Sequence, residues 1–319
     1  MNKEQFFEEV LEAVKNQIPQ ILRDEIEVSV REVIKTNDEV LHGISVMLPE
    51  TNCAPTIYLE DCYKDYVDGM TIEEIAENIM GASIAAYKDA PTIEEIALEY
   101  DEVQSKLTMQ VVDSDMNKGR LKDLVYQPVG NGFVAIPYIV VREDHHGRMM
   151  AAVTKTMAKE MEYDIDKLLE TAFLNTAERY EPVFFGMGDM LFAVDRPEIS
   201  NPMKEGFEVN PSLGMYVLTN TMQQNGASVL FYPDIQKRIG EILGNDYYVL
   251  PSSLHEVIIV PEGTGPTLKE LQTMVKEANR TVVEPQEVLS DKVLYFDRER
   301  ERLIEPKVKE RDGEERGDR

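Results

Sequence analysis

The sequence lacks most of the residue patterns that reveal a cofactor, a metal or a nucleophile. It has no G-x-x-x-x-G-K-[ST] phosphate loop and no G-x-G-x-x-G fingerprint, and "FFGMGDM" offers only G-x-G. The H-E-x-x-H zinc helix and the G-x-S-x-G turn of serine hydrolases are missing as well. The two cysteines, Cys53 and Cys62, are too few for a zinc site and do not form C-x-x-C. We therefore predict no catalytic residue, no metal ligand and no cofactor, and favour a protein that is not an enzyme.

Long apolar runs are also missing. No window approaches 18 consecutive apolar residues, which argues against a transmembrane helix. The start, "MNKEQFFEEVLEAVKNQ", carries acids where a signal peptide needs an apolar run. Tryptophan is absent, but 14 tyrosines, 10 phenylalanines and 16 methionines can fill a core. With only two cysteines, which we expect to be reduced thiols, the pattern predicts a cytoplasmic protein.

Positive charge is scarce, since 33 Lys and Arg face 60 Asp and Glu in 319 residues, for a net charge of -27. Such a chain repels nucleic-acid phosphates and anionic membranes, and it suits a basic protein partner. The last segment, residues 298–319, holds eight residues of each sign. All of the net charge thus lies on residues 1–297. The mixed-charge segment predicts a flexible tail.

Periodicity predicts the elements. Residues 4–18 repeat apolar side chains at helical spacing, and "IEVSVREVIKTNDEVLHGISVML" reads as two strands around a turn at "KTND". "PTIYLE" predicts a third short strand. Capping boxes begin at Thr71, Thr92 and Thr267, each with a glutamate three residues later, and Asp164 is a candidate N-cap. "VYQPVGNGFVAIPYIVVRED" predicts a hairpin with its turn at "GNG".

After Pro211 the pattern predicts several short strands and a helix. "GMYVLTN", "GASVLFYP", "DYYVLPSS" and "HEVIIVP" are predicted strands, and "DIQKRIGEILGN" is a predicted helix that stops at Gly244. Strands and helices mix without strict alternation, which indicates an α+β fold with a mainly antiparallel sheet. The predicted regions are 1–105, 106–297 and the tail at 298–319. The first two could be one continuous domain.

The strongest candidate site is the polar stretch "PSSLHE". On a strand, Ser253 and His255 would share a face with Cα atoms about 6.6–7 Å apart, too far for a nucleophile and its base. Two interpretations remain open: a strand start with a hydrogen-bonded histidine, or a small-ligand site. The predicted ligand-binding residues are His255, Glu256, Ser253, Ser252 and Asn220.

Two further candidates are weaker. The "EDHHGR" turn contains His145 and His146, but adjacent imidazoles diverge on most backbones and do not readily share a metal ion. In "VVDSDMNKG", Asp113 and Asp115 have the spacing of some Mg²⁺ ligands. The spacing is common, so we interpret both as solvated turns.

Three segments together resemble a known family: "NCAPTIYLEDCYKDYVDGMTIEEIAENI", "LLETAFLNTAERY" and "YVLTNTMQQNGASVLFYPDIQKRIGEILGNDYYVLPSSLHEVIIVP". They are similar to an uncharacterised bacterial family that carries a domain-of-unknown-function label. The resemblance covers most of residues 1–297. It implies a cytoplasmic α+β protein from Gram-positive gut bacteria, often encoded on mobile elements, and it implies no reaction.

Three functions therefore stay open. The first is an interaction or regulatory protein with a basic protein partner and without direct nucleic-acid or membrane binding. The second is an enzyme or small-ligand-binding protein with its site around "PSSLHE". The third is an acidic nucleic-acid mimic that blocks a basic protein, which requires one dense acidic face.

Overall fold

The computed structural model describes residues 1–49, 54–89, 100–144, 147–188, 201–209 and 214–306. Met1–Val103 and Gln104–Arg319 form two compact units, here the N-terminal and the C-terminal unit. The predicted division into regions 1–105 and 106–297, with one continuous domain as the alternative, stays a prediction.

Helices of the N-terminal unit pack on a small antiparallel sheet. The first helix begins because the Asn2 side chain accepts a hydrogen bond from the Gln5 N–H, and it buries Phe6, Val10 and Val14 at helical spacing. These three side chains belong to the core of the unit. The elements are α1 (Lys3–Gln17), β1 (Glu27–Ile34), β2 (Val40–Met47), β3 (Ile57–Tyr58), α2 (Leu59–Val67), α3 (Ile72–Asp89) and α4 (Tyr100–Val103).

The predicted hairpin and its third strand are confirmed. Strands β1 and β2 pair antiparallel, and β3 adds to the other edge of β2. The connection holds Asn37 and Asp38 at positive φ, a conformation that Asn and Asp tolerate better than most residues. The capping box at Thr71 is confirmed too, because the Thr71 and Glu74 side chains and backbones exchange hydrogen bonds. The box predicted at Thr92 lies outside the described residues.

The C-terminal unit contains two antiparallel sheets. In the smaller sheet, β6 (Phe133–Asp144) pairs with β4 (Leu107–Asp113) on one edge. On its other edge, β6 pairs with β5 (Gln127–Gly130) and then with β7 (Gly147–Ala152). The predicted "GNG" turn is confirmed, since Asn131 and Gly132, between β5 and β6, both have positive φ.

The larger sheet has six strands in the order β13-β12-β10-β11-β9-β8, and each neighbouring pair is antiparallel. The α+β prediction with mainly antiparallel sheet is thus confirmed. The strands are β8 (Pro182–Gly186), β9 (Tyr216–Asn220), β10 (Tyr247–Leu250), β11 (Val257–Pro261), β12 (Leu294–Asp297) and β13 (Arg302–Ile304).

Helices pack against these sheets, and one hydrophobic core joins the two sheets. Buried side chains of both sheets, among them Phe133, Tyr216 and Phe296, share a single cluster. Asp164 caps its helix and the Thr267 capping box is complete, as predicted. The helices are α5 (Lys155–Glu160), α6 (Ile165–Arg179), α7 (Ile235–Leu243) and α8 (Leu268–Thr281).

The wrong predictions about elements include one strand and the start of the tail. The stretch predicted as the strand "GASVLFYP" contains a 3₁₀ helix, Gly226–Phe231, whose first five residues are buried. A short apolar run fits a buried strand or a buried helical turn equally well. The predicted tail begins too early, because Arg302–Ile304 pair with β12 and Leu303 is buried. Its remainder from 307 lies outside the described residues.

Among the helices of the described residues, none is both long enough and apolar enough to cross a bilayer.

Candidate functional site

The stretch "PSSLHE" is a connection between β10 and β11, so its interpretation as a strand is wrong. Its backbone bonds to residues that follow α8 instead of extending the sheet. The Leu254 N–H donates to the Glu287 carbonyl, and the Ser252 carbonyl accepts from the Leu289 N–H. Ser253 forms an isolated bridge with Val288. The strand alternation assumed for Ser253 and His255 therefore does not apply.

His255 has partners at both ring nitrogens. Its Nδ1 accepts a hydrogen bond from the Asn225 N–H at 3.3 Å, and its Nε2 lies 3.4 Å from a Glu287 carboxylate oxygen. Because Nδ1 is an acceptor, the ring proton of the neutral imidazole belongs on Nε2, where it points to Glu287. The side chain is 31% exposed. These contacts fix the tautomer and the orientation of a half-buried imidazole.

The other predicted ligand residues serve mainly to hold the backbone. Ser253 is buried, and its Oγ accepts from the His255 N–H at 3.0 Å. Asn220 is also buried, and its amide bridges the Gln224 carbonyl and the Met222 N–H at 3.0 Å each. Ser252 contributes its carbonyl to the pairing described above. Their role in ligand binding stays a prediction.

Gly226 lies where the "PSSLHE" connection approaches the end of β9. A Cβ built on Gly226 would lie 2.3 Å from the His255 carbonyl oxygen and 2.9 Å from the Asn220 nitrogen. The Thr219 hydroxyl donates to the same His255 carbonyl at 2.7 Å. The backbone around His255 is therefore closely packed, and only glycine fits at position 226 without a shift.

The predicted ligand residue Glu256 has a shifted pKa. Burial raises the pKa of its carboxyl group, and the nearby Glu287 carboxylate adds to this. The His255 ring and a hydrogen bond with Ser253 act in the opposite direction. Desolvated carboxyl groups are enriched in functional sites, but they also occur in structural networks.

Replacing His255 tests whether the imidazole holds this connection in place. We expect His255→Ala to lower the free energy of unfolding by about 1–2 kcal/mol, since the Asn225 N–H loses its acceptor and packing is lost. Urea unfolding of both proteins measures the change. An unchanged midpoint would show that the observed contacts contribute nothing to folding.

The raised pKa of Glu256 predicts a pH dependence. A carboxyl group whose pKa is higher in the folded than in the unfolded protein keeps its proton longer when folded. Its contribution to stability is therefore present at low pH and is lost as pH rises from the ordinary glutamate range through the raised pKa. We expect Glu256→Gln to remove this loss, so that the variant gains stability relative to wild type as pH rises above the ordinary glutamate range. Urea unfolding at a series of pH values tests this, and a constant difference would contradict it.

A network of hydrogen-bonded polar side chains extends from this connection, and the sequence patterns did not predict it. Asn225 accepts from Gln110 through its side chain at 3.0 Å, and Gln110 accepts from the Tyr138 hydroxyl at 2.8 Å. Arg120 donates to the same hydroxyl. Burial raises the pKa of Tyr138, which keeps the phenol protonated and able to donate. Nothing in the sequence marks these residues, because they lie far apart along the chain.

Asp113 and Asp115, considered above as a metal-type pair, have different surroundings. Asp113 is buried, and its Oδ2 accepts from the Ser290 hydroxyl at 2.7 Å and from the Lys292 ammonium at 2.9 Å. Asp115 is exposed and pairs with Lys118. The interpretation of Asp113 as a solvated loop residue is therefore wrong, and its carboxylate is a buried tie between β4 and the segment before β12.

No group of three or more His, Cys, Asp or Glu suited to a metal ion occurs within the part of the chain that the structure describes. His145 and His146 lie outside it. The thiol of Cys62 is buried in the N-terminal unit, and burial, together with the neighbouring Asp65 and Asp61, raises its pKa to about 11. The thiol is thus mostly protonated at neutral pH and weakly nucleophilic.

Three cavities in the part of the chain that the structure describes have linings that include none of the predicted ligand residues. Their volumes are about 990, 550 and 320 Å³. The largest, named the acidic groove here, is an open groove of the N-terminal unit. Its lining comes from α1 and from the end of α2 through the start of α3: Glu8, Glu9, Glu12, Ala13, Asn16, Gln17, Tyr66, Val67, Gly69, Met70, Thr71, Ile72 and Glu73.

The acidic groove combines exposed carboxylates with apolar side chains. Within the described residues, Glu12 forms an ion pair with Lys15, whereas Glu8, Glu9 and Glu73 have no cation within ion-pair distance. Val67, in the apolar part, is 66% exposed. Residues 1–103 contain 24 Asp and Glu but only seven Lys and Arg, so this unit carries a net charge of -17. The N-terminal unit, which contains this groove, therefore carries more than half of the net charge of the protein.

Comparison with known proteins adds one match. A family model described as "Family of unknown function (DUF5688)" matches residues 3–298. Neither the curated proteins nor the solved structures contain a match. Because the family model covers nearly the whole chain, the protein belongs to the family of unknown function DUF5688.

Proposed function

We propose that the protein is an interaction protein that binds a basic, amphipathic segment of a partner in the acidic groove. The observation that carries the proposal is that four glutamates and a set of apolar side chains line one groove. The glutamates are Glu8, Glu9, Glu12 and Glu73, and the apolar side chains, called the apolar floor here, are Val67, Met70 and Ile72. An amphipathic helix that enters a groove buries its apolar side, and its flanking cations pair with carboxylates on the rim. The opposite charges also speed up association.

The apolar floor separates this function from nucleic-acid mimicry. A mimic presents carboxylates alone, in place of phosphates. Here Val67, Met70 and Ile72 line the same groove as the acidic side chains, which favours a ligand with both charge and apolar surface. The compartment we propose is the cytoplasm, which agrees with the unpaired, buried thiol of Cys62. We also propose relatives in Gram-positive gut bacteria, often on mobile elements, on the resemblance alone.

A charge-matched pair of variants tests the proposal. One protein carries Glu8→Gln, Glu9→Gln, Glu12→Gln and Glu73→Gln, and the control carries Glu160→Gln, Glu170→Gln, Glu277→Gln and Glu284→Gln at exposed positions of the C-terminal unit. Fluorescence anisotropy measures the binding of two labelled peptides of equal charge, one Lys/Leu amphipathic and the other Lys/Ser hydrophilic.

We expect wild type and control to bind the amphipathic peptide, and the groove variant to lose about tenfold or more in affinity, since several exposed ion pairs each contribute up to about 1 kcal/mol. The affinity should fall as salt increases. Equal binding by both variants would disprove the groove. Equal binding of both peptides would favour the mimic.

A further inference from the structure

We infer that the C-terminal unit contains a binding site for a small amphiphilic anion, with an aromatic or branched aliphatic body and one carboxylate. The site is the 550 Å³ cavity, named the lysine pocket here, and its volume is in the range of small-molecule sites. It is lined by Leu124, Val125, Tyr126, Lys155, Ala158, Lys159, Tyr163 and Ile165. This inference is independent of the acidic groove.

The body of the ligand would contact an apolar lining. Leu124, Val125 and Ala158 are buried beneath the pocket. Tyr126 and Ile165, also in the lining, are 40% and 37% exposed. A ligand that covers such exposed apolar side chains removes them from water, which makes the free energy of binding more favourable. The pocket therefore selects an apolar body.

Lys155 supplies a fixed positive charge. Its ammonium donates to the carbonyl oxygens of Leu121 at 3.1 Å and Lys122 at 2.6 Å. An ammonium has three N–H donors, so one remains for a ligand. The Tyr126 ring, whose centroid lies 5.7 Å from the Lys155 nitrogen, also positions this charge. A donor held in this way loses little side-chain entropy when an anion binds.

Lys159 supplies the second charge. It lies four residues after Lys155 on α5, hence on the same helix face. Within the described residues, no carboxylate lies at ion-pair distance from Lys159. A carboxylate above the apolar lining of the pocket can thus contact both ammonium groups. The two lysines favour an anion at this pocket although the whole chain is strongly acidic.

Two matched fluorescent probes test this site in the full-length protein. The anionic probe is 8-anilinonaphthalene-1-sulfonate, and the neutral one is N-phenyl-1-naphthylamine, which lacks the sulfonate. Each is titrated against wild type, Lys159→Met, Lys159→Glu and Ile165→Asp, with Lys276→Met on α8 as the control for loss of an exposed lysine. Competition with 1-naphthoate tests whether a carboxylate occupies the same site.

We expect one saturable site for the anionic probe, weaker binding of the neutral probe, and displacement by 1-naphthoate. Lys159→Met should weaken anion binding about fivefold with little effect on the neutral probe, as removal of one exposed ion pair predicts. Lys159→Glu should weaken it further, Ile165→Asp should weaken both probes, and Lys276→Met should match wild type. Equal affinity for the two probes, wild-type binding by both Lys159 variants, or no saturable binding would overturn the inference.

Discussion

Gly226→Ala is expected to destabilise the C-terminal unit severely, by about 3 kcal/mol or more. The new methyl group would lie 2.1 Å from the Thr219 hydroxyl oxygen, 2.3 Å from the His255 carbonyl oxygen and 2.9 Å from the Asn220 nitrogen. Two of these neighbours are backbone atoms, so rotation of a side chain cannot relieve the overlap. Overpacking of a close-packed interior costs about 1–3 kcal/mol and sometimes more. Urea unfolding measures the loss.

Gly81 offers the matched control, because the same substitution meets open space there. No heavy atom lies within 4 Å of a Cβ built on Gly81, which is an exposed residue inside α3. Alanine is favoured over glycine in a helix by about 1 kcal/mol, so Gly81→Ala should leave stability unchanged or increase it. If both variants changed the free energy of unfolding by the same amount, the close packing described around His255 would be contradicted.

Asp113→Asn is expected to cost about 3 kcal/mol of unfolding free energy. The Asp113 side chain is 3% exposed, and its carboxylate accepts from Ser290, Lys292 and the Asp115 N–H. The substitution leaves the Lys292 ammonium, 21% exposed, without its partner, and breaking one half of a buried ion pair costs about 3–5 kcal/mol. Thermal or urea unfolding measures the effect.

Two further variants show whether the lost charge pair is the cause. Asp115→Asn, two residues along the chain, removes an exposed carboxylate and should change stability little. The double variant Asp113→Asn, Lys292→Met should lose less than the sum of the two single variants, because no charge is then left unpaired. Strict additivity would mean that the pair does not interact.

Local signals predicted much of the fold. Capping residues, turn residues and periodicity act within a few positions, and they located α1, α3, α7 and α8 and both hairpins correctly. The failures have a physical cause. "GASVLFYP" is almost entirely apolar and so has no clear period. Its 3₁₀ conformation depends on contacts such as Ala227 to Leu254 that a local pattern does not contain.

The candidate sites were harder to predict, since they are made by distant parts of the chain. Asp113 and Lys292 are 179 residues apart in sequence. The acidic groove joins α1 to a turn more than fifty residues later. His255 and Asn220 were noticed for their chemistry. Only the structure shows that both support the backbone around Gly226.

Site-directed photo-crosslinking tests most directly whether the acidic groove binds a basic partner. A benzophenone amino acid replaces Val67 in the groove, or Val282, an 80% exposed valine of the C-terminal unit, as the control. Both proteins are irradiated in extracts of cells that naturally contain the protein, and adducts are identified by mass spectrometry. The proposal predicts adducts at position 67 alone. The crosslinked segments should be amphipathic and rich in Lys and Arg, and added salt should prevent their crosslinking. Absence of adducts at position 67, or the same adducts at both positions, would contradict it.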